Sequence, residues 1–275
     1  MATRTFVLIA FDETEAGWLV EKAAECAIGF DAHLTLLHPF SPILFTDGMG
    51  SESVVISTML EWEETESSRI RSQFEDVLRR NGLQGEYHAQ NSLFGAEGFL
   101  LGGARAADIV LMGATADRSP DDRVLAHRFV REAGRPVLVL GRNAGLSAPA
   151  SRIAIGWTDT REATRAAHDA LALAAPRAEI SLVTLHSKAS EVAHGLTARE
   201  DLAAALDRAG FKVTTADRPA TAEDRAGDLV RFAREVDAEL LATGAFGHSQ
   251  VYDMLIGAVT RELLDQAPIP ILLSR

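Results

Sequence analysis

Gly244, Gly247 and Gly257 bracket His248 and Ser249 in the stretch GAFGHSQVYDMLIGAVTREL, residues 244–263. An apolar strand-like run, ELLAT, precedes the first glycine, and a helical run, VTRELLDQ, follows the last. Glycine tolerates positive φ and has no Cβ to hold a ligand away, so such a loop can aim several backbone N–H groups at one point. The amino-terminus of the following helix adds roughly half a positive charge. Together these can hold a phosphate without lysine or arginine, and His248 and Ser249 can donate to its oxygens. Glycines are also common in plain strand-to-helix turns. Spacing alone therefore leaves both a phosphate loop and a folding turn open.

Composition narrows the partners. The chain has 275 residues, 47% of them hydrophobic, which allows two domains with cores of their own. Its net charge is −12. Residues 1–145 carry 13 basic and 21 acidic side chains, and residues 146–275 carry 14 and 18, so both parts are acidic. Neither part has a basic run. That argues against nucleic acid or an anionic membrane as partner, because phosphate-backbone binding needs clustered Lys and Arg. A bound phosphate must then be held by local dipoles. No segment approaches the ~20 apolar residues of a membrane span. The opening MATRTFVLIAFDETEAGW is too short in its apolar part for a signal peptide. Cys26 is the one cysteine and cannot form an internal disulfide, so a reducing cytoplasm is expected, with Cys26 as buried filler.

The elements that must position the glycines come in a repeat. FVLIAFDETEAGWLVEKAAECAIGFDAHLTLLH (6–38) lies over IAIGWTDTREATRAAHDALALAAPRAEISLVT (153–184), at an offset of about 146. DIVLMG (108–113) matches ELLATG (239–244), and RPVLVL (135–140) matches IPILLS (269–274). The break falls in GRNAGLSAPAS (141–151), which has the small, turn-forming residues of a linker. Two domains are expected, 1–143 and 151–275. Strands are predicted near 6–11, 33–38, 85–90, 108–113 and 136–140, then near 153–157, 179–185, 211–215, 239–243 and 269–273. Helices are predicted near 15–29, 53–81, 95–106 and 122–133, then near 161–175, 197–209, 222–235 and 257–266. The strands are continuously apolar, as when helices cover both sheet faces. This gives an α/β fold of two tandem, doubly wound, Rossmann-like domains, each a five-stranded parallel sheet flanked by helices. Ligands in such sheets sit at the carboxyl ends of strands where the strand order reverses. The edges of the terminal strands RPVLVL and IPILLS would otherwise be open, so they are expected to pair between the halves as an intrachain pseudo-dimer. A further homodimer is compatible with the sequence.

The pattern Gly244-x-x-Gly247, nine residues, then Gly257 resembles the ATP-binding signature of the universal stress protein family. The context GAVTRELL…PIPILLS and the opening IAIGWTDTREATRAAHDAL are similar to that family's tandem-domain bacterial members. The resemblance implies a cytoplasmic, nucleotide-binding regulatory protein of the stress response, with ATP as ligand, Mg²⁺ as a companion and domains paired as in a dimer. It implies no strong catalysis, and no catalytic or metal-ligating residue is assigned. Gly244, Gly247 and Gly257 would line the triphosphate, His248 and Ser249 would lie near its terminal phosphates, and Ala258 and Val259 would offer backbone N–H groups. Trp157, Thr158, Asp159 and Thr184 would lie around base and ribose, with Trp157 equally readable as a core aromatic. Slow ATP hydrolysis or phosphoryl transfer, and an interaction scaffold without nucleotide, remain alternatives.

Three departures from the family pattern matter. Position 258 is Ala where the family has Ser or Thr. The family's Asp after the first strand is present as Asp12, but Thr158 stands opposite it in the repeat, with Asp159 next. The first half's matching loop, GATADRSPDDRVLAHRFVRE, keeps Gly113 and lacks the two later glycines. Pro120, Asp121 and Asp122 stand where phosphate would go, so the first domain is expected not to bind ATP in this mode. The eight histidines lack metal-ligand spacing, and His38 reads as structural.

Overall fold

The computed structural model describes residues 4–40, 52–91, 96–186, 194–221, 224–245 and 258–275. In the first half, β1 (Arg4–Ile9), α1 (Glu13–Phe30), β2 (Ala32–Phe40), α2 (Glu52–Asn81), β3 (Gly85–Asn91), α3 (Glu97–Ala104), β4 (Ile109–Gly113), α4 (Pro120–Glu132) and β5 (Val137–Leu140) follow in order. The second half runs β6 (Ala150–Gly156), α5 (Arg161–Ala170), β7 (Ala174–His186), α6 (His194–Arg208), β8 (Lys212–Pro219), α7 (Arg225–Glu235), β9 (Leu240–Gly244), α8 (Ala258–Gln266) and β10 (Ile271–Ser274).

Local chemistry sets these boundaries. Asp12 caps α1 by accepting from the Glu15 amide at 2.8 Å, and Asp31, left-handed at φ 51°, ends it. Ala16, Leu19, Val20, Ala23 and Ala27 form the helix's buried stripe. Ser119 caps α4, and Pro120 occupies its first turn, where a missing N–H costs nothing. The helix predicted over 161–175 stops at Ala170. A 3-10 turn, Leu171–Leu173, follows, and β7 opens at Ala174 rather than 179. Pro176 explains this, since it cannot donate within a helix. β8 runs four residues beyond its predicted end because its continuation is polar and exposed, as suits an edge strand.

The sheet is mostly parallel and flanked by helices. Its order is β3-β2-β1-β4-β5-β10-β9-β6-β7-β8. Each half contributes five parallel strands, with the order reversing between β1 and β4 and between β6 and β9. The halves join through β5 and β10, the one antiparallel pair among them, with Leu138 opposite Leu272. The expected pairing of RPVLVL with IPILLS is therefore present, and the two sheets form one of ten strands. Two buried clusters cover its faces, and each draws residues from both halves. No helix among the described residues is long and apolar enough to cross a membrane. Cys26 is fully buried, and burial pushes its thiol up to about 12.

Leu272 is fully buried at the centre of the seam. Leu272→Ala is expected to destabilise the chain by about 2–5 kcal/mol, read from the urea midpoint of unfolding.

Candidate functional site

The second-half crevice is built by three adjacent strands, β9, β6 and β7. Trp157, Thr158 and Asp159 leave the carboxyl end of β6, Thr184 lies near that of β7, and Gly244 closes β9. Ala258, exposed, and Val259, half-buried, open α8. The fold thus brings these predicted residues to one end of the sheet. Gly247, His248, Ser249 and Gly257 lie outside the described residues.

The strand registers correct the sequence repeat. Ile9 pairs with Met112, and Gly156 pairs with Thr243, immediately before Gly113 and Gly244. The Ala10 amide donates to Leu37, and the Trp157 amide donates to Val183. Ala10 therefore matches Trp157, and Asp12 matches Asp159, not Thr158. The capping residue also moves: Thr160 caps α5, accepting from the Ala163 amide at 3.2 Å. Asp159 is left exposed and is not the cap. Thr158 is exposed and shares a hydrogen bond of 3.2 Å with Thr160. Trp157 is 5% exposed and belongs to the core cluster, the packing alternative read from the sequence.

Gly244 has a packing reason of its own. A Cβ there would come within 2.6 Å of the Ala163 nitrogen and 2.7 Å of the Glu162 carbonyl carbon. A Cβ on Gly113 would meet Glu15 Oε1 at 2.5 Å. The glycine kept in both halves lets α1 and α5 approach the sheet.

The first-half crevice is filled from within. Arg118, in a loop of six residues between β4 and α4 where thirteen separate β9 from α8, is buried and donates to Glu15 Oε1 through Nε at 3.0 Å and Nη2 at 2.5 Å. Nη2 also reaches the Gly113 carbonyl at 3.2 Å, and the guanidinium lies 4.3 Å from the Phe11 ring centroid. Glu15 Oε2 accepts from the Phe11 amide at 2.9 Å. Burial raises the Glu15 carboxyl above its usual range, with Arg118 opposing. Glu162 holds the matching place in the second half, but its partner is the adjacent and exposed Arg161. The matching helix start, α4, is closed by Ser119, which accepts from the Asp122 amide and donates to its carboxylate. His38 is buried, donating from Nδ1 to the Ala10 carbonyl at 3.0 Å, and burial lowers its pKa.

Sequence reasoning missed one cation of the second-half crevice. Arg199 of α6 is buried and donates to Thr184 Oγ1 at 3.2 Å, to the Ala216 carbonyl at 3.2 Å and to both Asp217 oxygens at 2.9 and 3.1 Å. His186 lies 2.5 Å from Asp217. Nothing in AREDLAAALDRAG distinguishes Arg199 from other helix arginines; the strand ends it ties together are brought to it by the fold.

Residues 150–275 match the sequence profile of the universal stress protein family. That stretch, a little under half of the chain, is a domain of this family. No curated protein matches the chain. A crystal structure of a universal stress protein from Archaeoglobus fulgidus DSM 4304 covers 100% of this chain and 99% of its own, at 12% identity and a TM-score of 0.70. A functionally unknown protein from Pseudomonas aeruginosa PAO1 covers 99% and 92%, at 18% identity and a TM-score of 0.55. Both likenesses are of fold and span both halves. The first half thus shares the architecture of the universal stress protein domain, although the profile match begins at residue 150.

Two outcomes follow from this geometry. Gly244→Ala is expected to cost about 1–3 kcal/mol in urea unfolding, because the added methyl meets backbone that cannot turn aside. Arg199 first, then His186, holds the Asp217 carboxyl down to about 2, from an ordinary 3.8. A depressed carboxyl stabilises the fold above its unfolded value and loses that contribution as pH falls from about 4 towards 2. Asp217→Asn should therefore flatten the fall of the urea midpoint across that window relative to wild type.

Proposed function

We propose that this is a nucleotide-binding regulatory protein of the stress response, holding ATP in the crevice at the carboxyl ends of β6 and β9, with the first half binding none. The observation that carries this is the different use of equivalent groups in the two halves. In the first half, Asp12 caps its helix, Ser119 and Asp122 close the next helix start, and Arg118 occupies the crevice. In the second half, Thr160 has taken over the capping, and Asp159 is exposed beside the strand end. Ala258 and Val259 open α8, and the amino-terminus of a helix is a place that receives an anion. Membership of residues 150–275 in the universal stress protein family supports the same assignment for the glycine loop.

In this reading Gly244, Gly247 and Gly257 admit the phosphates, and Ala258 and Val259 donate through their backbone. His248 and Ser249 serve the terminal phosphates, while Asp159 and Thr184 serve ribose and base. Trp157 contributes the wall behind them, its side chain being in the core. Mg²⁺ would arrive with the phosphates.

Calorimetry with ATP, with and without Mg²⁺, tests this. Wild type should release heat at one site per chain, Gly247→Val should abolish it, and Asp159→Ala should weaken it. Ala258→Ser restores a hydroxyl and should tighten binding by about tenfold or more, since a hydrogen bond to a charged group contributes ~1.5–3 kcal/mol. No heat from wild type would remove the proposal. Steady phosphate release would replace the regulatory reading with an enzymatic one.

A further inference from the structure

We propose that the first half's shortened loop has become a brace for α8, so that Thr115, Arg123 and Asp265 act as positioning residues for the second-half crevice. The inference rests on that crevice being the nucleotide site, but its structural part stands on contacts between the halves. The Thr115 amide donates to the Leu264 carbonyl at 2.9 Å, and the Ala116 amide donates to the Asp265 carbonyl at 3.2 Å. Both carbonyls lie in the last turn of α8, where no amide of the helix can reach them. The loop therefore caps, from the other half of the chain, the helix whose opposite end carries Ala258 and Val259.

Side chains lock the same contact. Thr115 is fully buried, and its hydroxyl donates to Asp265 Oδ1 at 2.6 Å. Arg123, from α4, donates to Asp265 Oδ2 at 2.5 Å. Asp265 is thus held at both oxygens by residues about 140–150 positions earlier in the sequence. A short helix of nine residues has little stability of its own and takes its orientation from such contacts. Counted from Gly113, which matches Gly244, Ala116 stands at the place that Gly247 holds in the second half. Directed at α8 carbonyls, the Thr115 and Ala116 amides cannot also serve an anion. The same residues that withdraw the first half from ligand binding hold the second half's anion-binding helix in place.

The test uses the full chain. Thr115→Val removes the hydroxyl while keeping the backbone donors, Asp265→Asn removes the charge, and Thr115→Ser is the conservative variant that keeps the hydroxyl. Hydrogen exchange of a peptide spanning α8 is compared with that of β10 and β1. Exchange in α8 should rise about two- to tenfold in the first two variants, with the strands unchanged, and should stay near the wild-type rate in Thr115→Ser. Affinity for ATP should fall in parallel with the loosening. Unchanged α8 exchange in Thr115→Val would overturn the brace. Loosened exchange with unchanged ATP affinity would overturn the positioning role. Failure of wild type to bind ATP would sink the proposed function alone, with the brace still decided by exchange. If Asp265→Asn does not fold, the two Thr115 variants decide.

Discussion

The antiparallel seam between β5 and β10 is the contact on which the rest of the molecule depends. Each half alone would end in a short, apolar strand with a row of unpaired backbone groups. Pairing Val137–Val139 with Ile271–Leu273 closes both edges at once and leaves only β3 and β8 at the rims of the sheet. The side chains on these strands are fully buried, so the seam is also the centre of the core. Because the two strands run antiparallel, the halves are related by an approximate two-fold. That relation carries the loop after β4 onto the end of α8. The contacts of Thr115, Ala116 and Arg123 exist only because the seam is made.

The two halves repeat one plan of crevice, and equivalent hydrogen-bonding groups in them find different partners. A backbone N–H makes one strong bond, so a loop whose amides cap a neighbouring helix has none left to gather around an anion. In the first half Arg118 places a cation inside the crevice and neutralises it with Glu15. This buried pair is held by two donors from Arg118 and the Phe11 amide on Glu15 and by the Gly113 carbonyl on Arg118, while Arg118 Nη1 is buried with no partner among the described residues. In the second half the corresponding glutamate is held by a surface arginine.

Much of this was legible in the residues. Strand–helix alternation, continuous apolar strands and the internal repeat were enough for the doubly wound plan and for the seam, because these depend on patterns that recur at fixed spacing. The placement of Thr158, Asp159, Thr184, Gly244 and Ala258 at one end of the sheet followed from the same plan. The register of the repeat did not. An ungapped offset of about 146 put Thr158 opposite Asp12, whereas hydrogen bonding puts Asp159 there. A one-residue slip is invisible to composition but decides which side chain faces the crevice. Gly244 was read through its freedom to approach a ligand, and the fold adds a demand from the backbone of α5.

By itself, then, the sequence determined the class of fold, the duplication, the pairing of its terminal strands and the half in which glycines stand at family spacing. These are properties of periodicity and residue type along the chain. Only the tertiary structure decided that Arg118 turns inward to Glu15, that Arg199 ties Thr184 to Asp217, and that Thr115 and Arg123 meet Asp265. Each of those contacts joins residues far apart in sequence or turns on where a side chain points. An arginine in an acidic chain has many candidate partners, and only the packed geometry selects one.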